Sequence, residues 1–137
     1  MLLESEWHSS AEKYLKSDWD VLHIFEHAQS VTTIPSTQQR ISSKEASAIP
    51  PLFTSRHFAL RAGILLNSQH FHVHQWETTR GVDLAYGRRG DALSGVGACV
   101  FRYKKHNSTF YGAITYSFPS LSANAVTKLI SFLNSLP

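Results

Sequence analysis

Cysteine is almost absent: the 137 residues contain one, Cys99. A lone thiol closes no internal disulfide, and small secreted domains usually rely on several. Long apolar runs are also missing, and none approaches the roughly 20 residues of a membrane-spanning helix. The opening Met1-Leu2-Leu3-Glu4-Ser5-Glu6 lacks the basic start and apolar stretch of a signal peptide. These absences predict a cytoplasmic protein. Catalytic fingerprints are lacking too. There is no Gly-x-Ser-x-Gly elbow and no phosphate-binding loop, and Gly95-Val96-Gly97 has neither the third glycine nor the following helix of a dinucleotide site. Cys99, inside the apolar Ala98-Cys99-Val100, reads as a packed small hydrophobe rather than a nucleophile. The expectation is a protein that binds partners through its surfaces, is not an enzyme and needs no cofactor.

The composition is that of a folded chain: 42% hydrophobic, 12% aromatic and 17% charged. Length predicts one domain spanning residues 1–137. The net charge of +3 hides an asymmetry. Residues 1–27 carry a net −4, whereas residues 54–105 carry a net +5. A basic half attracts an acidic partner and speeds encounter with it. That partner is a protein, a phosphoinositide or a nucleic acid. Nucleic acid fits worst, because no single-strand stacking motif accompanies Tyr103 and Tyr111.

Periodicity orders the chain. Leu3, Trp7, Ala11, Tyr14 and Leu15 recur at helical spacing, so residues 3–16 are predicted as an amphipathic helix with Ser5 as its cap. Val21-Leu22-His23-Ile24-Phe25 and Val31-Thr32-Thr33-Ile34 read as a hairpin. Ser42-Ser43-Lys44-Glu45 is a capping box, and the short helix it opens must stop before Pro50-Pro51. Residues 52–62 suggest another turn of helix and a loop. Five strands follow: 63–66, 70–76, 82–86, 96–104 and 109–117. Gly87 to Gly95 is expected as a flexible loop from its glycines. Ala125, Val126, Leu129, Ile130 and Leu133 mark one face of a final helix capped by Ser120 or Ser122. Short turns between consecutive strands predict an α+β fold: an antiparallel sheet of six to seven strands with the N- and C-terminal helices packed together on one face.

Two clusters carry possible chemistry. His70-Phe71-His72-Val73-His74 puts three imidazoles on one face of a strand, at a spacing that suits zinc or copper, although no further ligand is evident and a polar sheet face explains it as well. Arg88, Arg89, Arg102, Lys104 and Lys105 suit a carboxylate-rich surface or inositol phosphates.

In this order and spacing the chain resembles the profilins. The helix from Glu6-Trp7 is similar to the family's tryptophan-bearing first helix, and the 20–31 region resembles its first hairpin. Ile41-Ser42-Ser43-Lys44-Glu45 resembles the Ile-x-Pro-x-Glu start of a short helix, with Ser43 in place of proline. Gly63-Ile64-Leu65-Leu66 followed by Gln69-His70-Phe71 resembles the next hairpin, and Gly87-Arg88-Arg89-Gly90 the Gly-Lys-Lys-Gly loop of plant members. The resemblance implies a cytoskeleton-associated protein that binds monomeric actin, with proline-rich proteins and phosphoinositides as further partners. It implies actin contacts at Leu60, His70, Val73, Gln75, Arg88, Arg89, Arg102, Asn124 and Lys128. It implies a proline-peptide groove at Trp7, Ser10, Thr32 and Phe132, where Ser10 replaces a tyrosine and Thr32 or Thr33 a tryptophan. A profilin-shaped adaptor without actin binding is the alternative.

Overall fold

The computed structural model describes residues 4–15, 17–89, 95–105, 107–117 and 122–136. Helix α1 spans Glu4–Leu15, followed by strands β1 (Val21–Phe25) and β2 (Thr32–Ile34). Helix α2 (Ser43–Ser47), a 3-10 turn at Pro50–Phe53 and helix α3 (Arg56–Ala62) come next. Strands β3 (Ile64–Leu66), β4 (Gln69–Thr79), β5 (Val82–Arg89), β6 (Val96–Lys105) and β7 (Ser108–Ser117) lead to helix α4 (Ser122–Asn134). The seven strands form one sheet in the order β2-β1-β7-β6-β5-β4-β3, and every pairing is antiparallel.

Local chemistry sets most boundaries. The Ser42 hydroxyl accepts from the Glu45 N–H while the Glu45 carboxylate accepts from the Ser42 N–H, so the predicted capping box starts α2. Ser55 caps α3 from one side only, its hydroxyl accepting from the Phe58 N–H. Asn67 and Ser68 take left-handed φ values of 50° and 66°, which suits the two-residue turn joining β3 to β4. Arg80 and Gly81 do the same between β4 and β5.

Period-two alternation splits the sheet into two faces. Under α1 and α4 lie Leu22, Ile24, Leu84, Cys99, Phe101, Ile114 and Tyr116, closed by Trp7, Leu129, Phe132 and Leu133. Under α2, the 3-10 turn and α3 lie Phe25, Phe71, Val73, Ala85, Val100 and Ala113, closed by Ile49, Leu52 and Phe53. Burying one such side chain contributes about 1.5–3 kcal/mol. The terminal helices thus share a face, as the layer argument requires.

Ser5 lies inside α1, which already includes Glu4, so it is not that helix's cap. Two further expectations need correction. Gly87-Arg88-Arg89 is not a loop but the end of β5, paired with both β4 and β6. Gly87 is there for close approach: a Cβ at this position would overlap the His72 carbonyl. Residues 90–94 of that expected loop lie outside the described residues. The second correction concerns β4. Its register skips His74, with Val73 opposite Gly87 and Gln75 opposite Tyr86, so a bulge lies within the expected uniform strand, and the three imidazoles form no group arranged for a metal among the described residues.

Candidate functional site

The bulge shapes the candidate surface. Without it Gln75 would share a face with Phe71 and Val73. With it Gln75 joins His70 and His72 on the α1/α4 side, and the Trp76 ring turns to the opposite core. There the Trp76 indole donates to the Leu52 carbonyl at 3.0 Å. Arg88 stands directly across from His72, and in an antiparallel pair such residues project to the same side. His70, His72 and Gln75 are exposed and Arg88 is half-exposed. Four of the residues named from the sequence therefore form one polar surface at the β4–β5 edge.

Beside this surface the buried end of the sheet is polar. The Tyr86 hydroxyl donates to Glu77 Oε1 at 3.2 Å. Burial, helped by the Glu77 carboxylate, pushes the Tyr86 phenol up to about 12. Tyr116 covers Gly97, where a Cβ would overlap its ring, and its hydroxyl meets Ser122 Oγ at 2.7 Å at the start of α4. Burial raises the Tyr116 phenol, and the nearby Arg88 partly offsets that rise. Both phenols are thereby held neutral, with Tyr86 as the donor to Glu77.

The remaining positions are scattered. Asn124 and Lys128 are exposed on α4. The Asn124 amide donates to Asp18 Oδ1 at 2.8 Å, which turns this edge of the helix, and Lys128 one turn on, toward the α1–β1 junction. Arg89 lies on the other face from Arg88, in register with Phe71. Leu60, 43% exposed, is on α3 over that same face. Arg102 also points there. Its Nε donates to Asp83 Oδ2 at 2.7 Å, and its guanidinium sits 5.5 Å from the centre of the Phe53 ring. Antiparallel register puts Arg102 opposite Asp83 and Arg88 opposite Gly97, so the strand arginines occupy opposite ends and faces and make no single cationic patch. Val73 is 5% exposed and its side chain belongs to the core, leaving it no surface to offer a partner.

The aromatic groove is likewise closed. Trp7 is buried and Phe132 is fully so. Phe132 meets Tyr14 and Trp19 edge-on, with ring centres 6.2 and 5.6 Å away. Trp19, which periodicity assigned to no element, fills this space and donates its indole N–H to the Ala125 carbonyl at 3.0 Å. Its signal was a tryptophan between two aspartates, Asp18 and Asp20, too short a segment to show a period. Ser10 and Thr32 are half-exposed at the groove's position. The described residues hold no group of three or more His, Cys, Asp or Glu arranged for a metal. No helix among them is long and apolar enough to cross a membrane.

No protein-family model matches this sequence, and no curated protein matches it. Solved structures do. A Schizosaccharomyces pombe profilin is 15% identical, with 93% of this chain and 94% of the profilin covered and a TM-score of 0.68. Acanthamoeba castellanii profilin II is 13% identical over 89% and 92% of the two chains, with a TM-score of 0.62. Mouse profilin IIa, solved in complex with a double repeat from the FH1 domain of mDia1, is 12% identical over 93% and 94%, with a TM-score of 0.60. At these identities the likeness is one of backbone architecture: the chain has the profilin fold, a seven-stranded antiparallel sheet with its first and last helices side by side on one face.

Proposed function

We propose that this protein binds monomeric actin and regulates its polymerisation in the cytoplasm, through the surface formed by β4, β5 and the exposed side of α4. The observation that carries this reading is the His72–Arg88 pair with Gln75 beside it, held by the bulge at His74. The profilin fold supports it, because the resemblance in sequence order implies actin contacts on these strands and this helix. The Arg88 guanidinium next to neutral hydrogen-bonding groups suits an acidic protein partner. Binding there occludes one end of the actin monomer, lowering nucleation while leaving filament ends accessible. No step needs catalysis, and Cys99, fully buried with its thiol raised well above the usual range, offers no nucleophile.

Proline-rich peptides and phosphoinositides are weaker partners in this reading. Trp7 and Phe132 present little ring surface, which leaves Ser10 and Thr32 as the accessible groove residues. The rival is an adaptor of the same shape that has lost actin, favoured by the burial of Val73 and the tying of Arg102 to Asp83. Pyrene-actin polymerisation separates the two. A longer nucleation lag that grows with protein concentration supports actin binding, and an unchanged lag at excess protein supports the adaptor.

A further inference from the structure

The His70–His72 pair is prepared for a ligand in a way that the actin reading does not use. The two rings stand 5.2 Å apart, centre to centre, and are nearly perpendicular at 81°. Two imidazoles on one tetrahedral zinc, each with N–metal about 2.0–2.1 Å, place their ring centres about 5 Å apart. His70 is also oriented. Its Nε2 lies 3.2 Å from the Ala62 carbonyl oxygen. A carbonyl only accepts, so Nε2 carries the proton in this contact, and the tautomer it selects is the one that can offer the lone pair of Nδ1 to a cation. Donation of the other ring N–H to a backbone carbonyl is the usual outer support of a metal-bound histidine. Gly63 makes room for this ring, since a Cβ there would overlap it.

We propose that His70 and His72 form a two-imidazole site for a borderline divalent cation, Zn2+ or Cu2+, with water in the remaining positions. No third His, Cys, Asp or Glu joins them among the described residues, so the site is open and exchangeable rather than structural. His74, unpaired at the bulge, completes no three-ligand group with them. Arg88, across from His72, opposes a second positive charge and keeps the affinity modest. Imidazole ligation excludes Mg2+, which demands oxygen ligands.

The test is titration of the whole protein with ZnCl2 and with CuCl2, with MgCl2 as the control. Calorimetry reads stoichiometry, and NMR reads the histidine rings. One Zn2+ is expected per chain, with the His70 and His72 ring resonances moving together and Cu2+ showing two nitrogen ligands by electron paramagnetic resonance. His70→Gln and His72→Gln should each lose at least about tenfold in affinity. His27→Gln, in the turn after β1, should bind as the parent does. The proposal is overturned if Zn2+ and Cu2+ bind no better than Mg2+, if either Gln variant retains parental affinity, or if the wild-type spectra show His74 or a single ring responding. The spectra need no variant, so a misfolded substitution does not blunt the result.

Discussion

His23 Nδ1 lies 2.8 Å from Thr33 Oγ1, across the β1–β2 hairpin where the two residues pair in register. His23 is 1% exposed, and its Nε2 has no hydrogen-bond partner among the described residues. Burial lowers its pKa to about 4, against a smaller upward pull from Glu45. The imidazole is therefore held neutral inside the core.

Acid should destabilise the protein through this residue. Above about pH 6.5 the ring is neutral in both folded and unfolded chains, and nothing is lost. Below it the unfolded chain takes a proton that the folded chain refuses until about pH 4. Stability should fall by about 2 kcal/mol between pH 7 and pH 5. Urea denaturation at the two pH values measures this. His23→Leu should flatten the dependence, while costing about 1–3 kcal/mol at pH 7 for the Thr33 hydroxyl left alone. A slope unchanged in His23→Leu would assign the effect elsewhere.

Glu45 acts in a lower window. Burial alone would raise its carboxyl, but hydrogen bonds from the N–H groups of Ser68 and Ser42 outweigh that and hold it below the usual range. A depressed carboxylate stabilises the fold above its unfolded pKa of about 4.5, and that contribution fades as pH falls further. Glu45→Ala removes half the capping box and the anchor of the β3–β4 turn. It should cost about 2 kcal/mol at pH 7, read as a lowered urea midpoint.

Gly87→Ala tests the bulge. The added methyl overlaps the His72 carbonyl, which is backbone and moves little. Overpacking of this kind costs about 1–3 kcal/mol. Thermal unfolding of the variant should show it, and an unchanged midpoint would mean that the close approach is not what seats Gly87.

Charge reversal separates the two neighbouring arginines. Arg88→Glu should weaken actin binding about tenfold, because Arg88 shares its face with His72 and Gln75. Arg89→Glu, on the opposite face, should change it less than about twofold. Sedimentation or fluorescence titration with monomeric actin compares them directly. Equal losses would place the partner across the edge of the sheet rather than on one face.

Much of the fold was legible before any coordinates. The Ser42–Glu45 box, the apolar face of α4 and the alternation in β6 all depend on neighbours within about one turn or one strand, so their signals sit in the local sequence. The site was less legible. Gly87 reads as loop punctuation in isolation, yet serves a contact with a strand 15 residues earlier. Val73 lies between two exposed histidines, and its burial follows from strand alternation that the bulge then ends. Trp19 shows no period, and its role depends on the Ala125 carbonyl, 106 positions away.

The sequence alone determined the seven strands and the terminal helices in their order, the antiparallel sheet and the side on which those helices meet, because caps, turns and hydrophobic periods are set by adjacent residues, whereas α3 was expected only as another turn of helix and a loop. Only the tertiary structure decided that Arg88 and Gln75 join the histidines, that Arg102 faces away, and that the Trp7 and Phe132 rings are inside. Those outcomes turn on register, a one-residue bulge and packing between distant segments. A slip of one residue moves a side chain to the other face, and no local pattern records it.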